Sequence, residues 1–179
     1  MFFSKFIVPA VAVLSAAAGV FASPVQPAAE LVARGSGTDV YNTCKHVYDT
    51  CEPVIAGLAV AVDVAAEVDV IANVFAAAQV ELAAYVDVDV VAELDAIVDI
   101  NVNLLVALIV ALSKCNILDV SIFAKVDAFI SAYLAVLAKI NADICVHIGN
   151  GIPLLNLNLF LTLKLILTVK VLGLVNLLL

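Results

Sequence analysis

Charged and aromatic side chains are scarce in this 179-residue sequence. Only 13% of its residues are charged and 7% are aromatic, Trp is absent and there is one Met, whereas 65% are hydrophobic and the mean hydropathy is +1.20. Basic residues are few: eight Lys and Arg stand against 16 Asp and Glu, a formal net charge of −8. Because nucleic acids are bound by clustered Lys and Arg, this balance argues against a nucleic-acid partner, and it disfavours attraction to anionic lipid headgroups.

Sequence motifs of catalysis are also missing. The chain contains no Gly-x-Ser-x-Gly, no His-Glu-x-x-His and no glycine-rich phosphate loop. Each of its two histidines stands two residues after a cysteine, so a Ser-His-Asp or Cys-His site is hard to assemble. We therefore expect a protein that is not an enzyme and uses no cofactor. One alternative stays open: Cys44, His46, Cys145 and His147 could together bind zinc, although the usual zinc spacings are absent.

Long uncharged runs are absent from the middle of the chain. Between Lys45 and Lys114 there is no basic residue, but 11 acidic residues recur every few positions. No window of spanning length is therefore free of charge before Asn101, and residues 101–113 are too few to cross a bilayer. This spacing predicts amphipathic elements whose acidic faces contact water.

The first 34 residues predict export. Residues 1–22 have the pattern of a signal peptide, with Lys5 before an apolar region and small or aliphatic residues at the cleavage site after Ala22. A retained membrane anchor is the alternative, disfavoured by Pro24 and Pro27. Residues 23–34 resemble a pro-peptide that kexin-type proteases cut after Arg34, or else form an ordinary linker. We expect a protein that is secreted, either extracellular or in a cell wall.

Four cysteines in an exported chain predict two disulfides. Cys44 and Cys51 fall on one helical stripe, but seven helical residues rise about 10.5 Å, too far for these two to bond each other. Each is therefore expected to pair with a downstream cysteine. We favour Cys44 with Cys145 and Cys51 with Cys115, and the crossed pairing stays open.

The region 35–149 predicts an acidic bundle of about four helices, tied by these disulfides. Thr38 or Asp39 is expected to cap the first helix, and Pro53 to kink or restart it. A later helix has the clearest apolar face, which continues to Ile144 and is expected to end in the Gly- and Pro-containing stretch 149–153. The fold class is therefore mainly α.

The region 150–179 is a very apolar, amphipathic C-terminal segment. Residues 155–171 read LNLNLFLTLKLILTVKV, in which Leu or Val occupies every odd position. Such alternation is typical of a strand with one apolar face, which would extend about 56 Å; a helix is the alternative. We predict that this face is an interface, or else that it packs over the bundle as core. The predicted interface residues are Leu155, Leu157, Leu159, Leu161, Leu163, Leu165, Leu167, Val169 and Val171.

The leader, the Leu-Val-Ala-Arg junction at 31–34, the pair Cys44 and Cys51, and the apolar C-terminus together resemble small secreted structural proteins of the fungal hyphal surface and cell wall. These support aerial-hypha formation and attachment. The layout is more loosely similar to fungal hydrophobic-surface-binding proteins. It departs from hydrophobins, which carry eight cysteines, and no functional residue can be carried over. The resemblance implies a structural, surface-active or adhesive protein whose partners are hydrophobic surfaces or cell-wall matrix, with self-association.

Two other functions fit the composition. A secreted carrier of lipids or small apolar ligands would use the bundle core as its cavity. A membrane-inserting protein would use residues 154–179, so membrane contact stays open, although Lys164 and Lys170 make a simple span costly.

Overall fold

The computed structural model describes residues 35–85, 88–115 and 119–174. Helices account for 81% of these residues, and none of them belongs to a strand, which confirms the mainly α fold. The predicted signal peptide at 1–22 and the pro-peptide at 23–34 lie outside the described residues, as does part of the predicted C-terminal segment, 175–179.

Four long helices and three short ones follow each other along the described chain. A single 3₁₀ turn, Leu58–Val60, follows the first helix. The helices are α1 Gly37–Gly57, α2 Val64–Leu82, α3 Leu94–Lys114, α4 Ser121–Ile140, α5 Ala142–Gly151, α6 Leu154–Thr162 and α7 Ile166–Val171.

Helix α1 begins earlier than the sequence predicts. Ser36 is its N-cap and forms a capping box: the Ser36 hydroxyl accepts from the Asp39 amide at 3.3 Å, while the Ser36 amide donates to Asp39 Oδ2 at 2.6 Å. The Ser36 amide and the Ser36 hydroxyl both donate to Asp39 Oδ2, and these two hydrogen bonds lower the pKa of the Asp39 carboxyl. The helix continues through Pro53 and neither ends nor restarts there. Pro53 has no amide hydrogen to donate to the Asp49 carbonyl. Both residues lie on the exposed side of the helix, where water can take the place of that donor.

The expected continuous helix through Ile144 is interrupted at Asn141. Its backbone is extended there (φ −153°, ψ 120°), and its side-chain oxygen accepts from the Asp143 amide at 2.8 Å. Asn is a preferred N-cap because this hydrogen bond satisfies a donor of the first turn. The residue therefore ends α4 and begins α5.

The long helices pack in the spatial order α3, α1, α2, α4. Helices α1 and α3 run parallel, since Thr38 at the start of α1 donates to Glu93 at the start of α3 at 3.0 Å. Helices α1 and α2 run antiparallel, since Thr43 near the start of α1 donates to Glu81 near the end of α2 at 2.9 Å. The backbones of α3 and α4 hardly approach each other, which leaves one side of the core open.

The C-terminal helices close this open side. Helix α5 packs against both α3 and α4, α6 lies on α3, and α7 lies on α4. Inside, the ring of Phe75 contacts those of Phe129 and Tyr133, each with centroids 5.0 Å apart. The segment beyond residue 150 is thus one wall of the hydrophobic core.

The strand interpretation of residues 155–171 is wrong, and the helical alternative is what the structure has. A helix satisfies its backbone hydrogen bonds internally, whereas a strand needs a neighbouring strand, and the described residues include none. In helices, the alternating side chains no longer share one face. Leu155 and Leu167 are exposed; Leu159, Leu161 and Val171 are half-buried; Leu157, Leu163, Leu165 and Val169 are buried.

The predicted disulfides are not formed: all four cysteines are free thiols. Cys115 Sγ lies 3.4 Å from the carbonyl oxygen of Leu58, which is seven residues and about 10.5 Å beyond Cys51 along the chain. Cys44 and Cys145 instead contact α4, with Cys44 Sγ 3.3 Å from the hydroxyl of Tyr133 and Cys145 Sγ donating to the Leu134 carbonyl at 3.2 Å. Helical spacing correctly placed Cys44 and Cys51 on the buried face of α1, but it could not give the heights of their neighbours.

Candidate apolar interface

A buried polar cluster joins three helices at mid-height. The Tyr133 hydroxyl lies 2.9 Å from Asn101 Oδ1 and 3.3 Å from Cys44 Sγ, and Asn101 Nδ2 donates to the Ile97 carbonyl at 2.7 Å. All three side chains are almost fully buried. The hydrogen bonds give each polar group a partner, which is what burial of such groups requires.

Burial also keeps the Tyr133 hydroxyl and the buried thiols of the core protonated. It raises the pKa of Cys44, raises the pKa of Cys51 and Cys145 to about 11, and raises the pKa of Tyr133 well above its usual value. Because the thiolate is the nucleophilic form, these cysteines are inert near neutral pH. The cluster therefore serves the core and offers no reactive group.

The zinc alternative does not match the geometry. Cys44 and Cys145 are buried, whereas His46 and His147 are exposed, so each Cys-x-His pair is divided between the inside and outside of its helix. His147 Nδ1 instead lies 2.8 Å from the Asp143 carbonyl. Among the described residues, no three His, Cys, Asp or Glu side chains are grouped to hold a metal.

One end of the bundle collects exposed aliphatic side chains, and we call it the apolar end. Three connections meet there. The α1–α2 and α3–α4 connections are neighbours, because Cys115 bonds to Leu58, and the α3–α4 and α6–α7 connections share a cavity. The apolar end comprises Val60 (85% exposed), Val62 (107%), Val120 (68%), Ile166 (45%) and Leu167 (49%).

Single exposed hydrophobic residues are common on soluble proteins, whereas several at the same end of a bundle indicate an interaction surface. At the apolar end, a cavity of about 240 Å³ is lined by Val120, Phe123, Ala124, Thr162 and Lys164. Lys164 makes no ion pair with any described residue and has a positive φ of 59°, which turns the chain sharply between α6 and α7. The exposed aliphatic side chains are therefore bordered by charged groups: the ammonium of Lys164 and the exposed carboxylates of Asp63 and Asp119, which stand next to Val62 and Val120.

We call residues 154–171, the α6–α7 hairpin, the cover. Its inner side contributes Leu157, Phe160, Leu163, Leu165 and Val169 to the core. Its outer side mixes aliphatic and polar residues: Leu154 and Leu155 are 78% and 80% exposed, and Asn158, Thr162, Lys164 and Lys170 are exposed as well. The two exposed leucines at the start of α6 add apolar area to the outer side of the cover.

A buried carboxylate attaches the cover to the bundle. Asp127 of α4 is 5% exposed and accepts three hydrogen bonds of 2.8 Å, from the Leu167 amide, the Thr168 amide and the Thr168 hydroxyl. These donors belong to the first turn of α7, so Asp127 provides the N-terminal cap that α7 lacks in its own sequence. Hydrogen bonds to a charged group are stronger than neutral ones.

Two long helices are also apolar enough to cross a membrane. By length and composition alone, α3 (Leu94–Lys114) and α4 (Ser121–Ile140) qualify, and α5 with α6 would count as a third span if that pair, bent by 103°, were one. This corrects the expectation that residues 101–113 are too short, because α3 begins well before Asn101. In the most apolar 18-residue stretch of each helix, fewer than half of the residues are buried.

The chain matches no protein-family model, no curated protein and no solved structure. Of the nine predicted interface residues, the structure brings only Leu167 to the apolar end, with Leu155 exposed elsewhere on the cover. Sequence reasoning missed Val60, Val62, Val120 and Asp127. The valines stand among other aliphatic residues, in the stretches LAVAVDV (58–64) and ILDVSIF (117–123), and the aspartate resembles the other acids, so no local signal distinguished them.

Proposed function

We propose that this chain is a non-enzymatic, surface-active protein, exported to the extracellular space or cell wall, that adheres to and coats hydrophobic interfaces. The apolar end is the observation that carries the proposal. Five aliphatic side chains in or beside three connections are exposed there. Moving exposed apolar side chains from water onto an apolar surface is favourable in free energy, so these residues favour adsorption.

The distribution of charge supports the same function. No acidic residue follows Asp143, whereas the preceding part of the chain carries all 16 acids. Residues such as Asp89, Asp95 and Asp99 are exposed and keep that part hydrated. The part of the chain after Asp143 can therefore contact an apolar surface without dehydrating a carboxylate of its own, and contacts between adsorbed copies would account for self-association within the coat.

Adsorption to Teflon beads or to an air–water interface tests the proposal. In the variant Val60→Thr/Val62→Thr/Val120→Thr the fold is retained, because all three side chains are exposed. Each valine removed from water contributes on the order of 1.5 kcal/mol, so we expect the affinity for the surface to fall about tenfold or more.

The matched control is Val80→Thr/Val91→Thr/Val146→Thr, which changes three exposed valines (77%, 72% and 50%) away from the apolar end. The control is expected to adsorb like the unmodified chain. Equal losses of adsorption in both triple variants would contradict the assignment to the apolar end. An unmodified chain that stays in solution would contradict the proposed function itself.

Membrane insertion is a second candidate, favoured by the length and apolar composition of α3 and α4. It predicts that the full chain floats with lipid vesicles and resists extraction at alkaline pH. Release by alkaline extraction would remove this candidate and leave adsorption.

A further inference from the structure

We infer that the cover, residues 154–171, is a detachable interaction element that opens at an uncharged apolar interface, with Asp127 holding it closed in water. This inference rests on the proposed function and names how the interface is engaged. The cover is suited to this because it carries large apolar side chains on both sides: Phe160 and Leu163 face the core, while Leu154 and Leu155 face solvent among exposed polar residues.

In water, closure is favoured because it buries the inner side of the cover. At an apolar surface this advantage disappears, since both sides of the cover can then leave water together. No acid lies within the cover, and its polar side chains are limited to Asn156, Asn158, Thr162, Lys164, Thr168 and Lys170. Nothing in the cover therefore needs a large hydration shell except two lysines, whose long side chains can reach water.

The connection to the bundle allows such a movement. Helices α5 and α6 meet at 103° across Ile152 and Pro153, both with extended backbones. Pro153 has no amide hydrogen, so no helical hydrogen bond from that residue runs back into α5. Beyond this junction, the cover is held by side-chain packing and by the hydrogen bonds to Asp127.

Two contacts fix the closed position. Asp127 accepts its three 2.8 Å hydrogen bonds from Leu167 and Thr168, and opening would exchange all three for water. At Gly149 the chain just after the cover approaches α5 so closely that a Cβ would lie 2.7 Å from the carbonyl oxygen of Leu172, the residue that follows the cover. Glycine is required there for the closed packing.

We expect the open cover to contact an uncharged apolar phase boundary, such as an air–water or oil–water interface. The chain carries a net charge of −8, so an anionic membrane would repel it as a whole. The alternative partners of the open cover are anionic lipid vesicles and a second copy of the chain in solution, and the experiment tests both.

The test compares the full chain with Asp127→Asn, which places an amide donor against the amides of α7, and with Gly149→Ala, which displaces Leu172. Asp69→Asn is the control, because Asp69 pairs with Lys125 on the exposed surface and touches no part of the cover. Tryptic cleavage after Lys164 and Lys170 reports opening, and the rate of surface-pressure rise at an air–water interface reports adsorption.

We expect both cover variants to be cleaved at least about tenfold faster than the control. We also expect both to adsorb faster than the control, and the variant that is cleaved faster to adsorb faster. Faster cleavage with an unchanged adsorption rate would overturn the inference while leaving the proposed function intact. Preferential binding to anionic vesicles, or dimers in solution with no adsorption gain, would overturn the choice of occupant. If neither the unmodified chain nor any variant adsorbs, the proposed function fails instead. Because Gly149→Ala acts by a different contact, misfolding of Asp127→Asn does not remove the test.

Discussion

Single side chains decide how tightly the bundle is held. Tyr133 reaches across the core to Asn101, and Asp127 reaches from α4 to the first turn of α7. Each such group is satisfied by hydrogen bonds inside the protein, and removing one partner leaves the other buried and unpaired, which costs about 1–3 kcal/mol. The buried thiols of Cys51 and Cys145 need no such partner to remain neutral, because burial alone keeps them protonated.

These two thiols predict a loss of stability at alkaline pH. Burial raises their pKa from 9.0 to about 11, so below pH 9 both folded and unfolded chains keep the protons. Between pH 9 and 11 the unfolded chain releases them first, and the free energy of unfolding falls as the pH rises. Urea unfolding at pH 8 and pH 10.5 under reducing conditions measures the decrease, which should be smaller in Cys51→Ala/Cys145→Ala. An equal decrease in that variant would assign the effect to other groups.

At the scale of elements, the short C-terminal helices depend on the long ones. Helix α7 has six residues and no N-terminal cap of its own, so it is too short to persist alone. Helix α6 has nine residues and is held by Leu157 and Phe160, which enter the core beside α3.

Two substitutions on the cover separate its core role from its surface role. Phe160 is fully buried, so Phe160→Ala should lower the free energy of unfolding by about 3–5 kcal/mol. Leu155 is 80% exposed, and Leu155→Ala should change it by less than about 0.5 kcal/mol. Denaturant unfolding of both variants measures the difference. Similar small effects would mean that α6 is not part of the core in solution.

At the scale of the whole molecule, the bundle is incomplete without its C-terminal segment. The four long helices leave a gap between α3 and α4, and α5, α6 and α7 fill it. Acidic residues end at Asp143, so the segment that fills this gap carries no carboxylate beyond that residue.

A chain ending at Gly151 should therefore lose its cooperative unfolding. Removing the cover exposes the apolar sides of α3 and α4 and leaves the Asp127 carboxylate without its three donors. We expect retained helical circular dichroism, a broad unfolding transition and strong binding of a hydrophobic dye. A truncated chain that unfolds as sharply as the full one would show that the cover is not a wall of the core.

The sequence by itself determined the helical class, the inner face of α1 through Val40, Cys44, Val47 and Cys51, and the scarcity of catalytic side chains. It did so because helical periodicity and residue chemistry are local properties. The alternation in 155–171 was misleading, because a period of two indicates a strand only if another strand is present to pair with. Only the tertiary structure decided that these residues form the cover, that the cysteines lie at different heights, and that Val60, Val62 and Val120 meet at one end. Most of those outcomes depend on contacts between residues about 40 to 90 positions apart, such as Thr168 with Asp127 and Cys44 with Tyr133, which no local pattern contains.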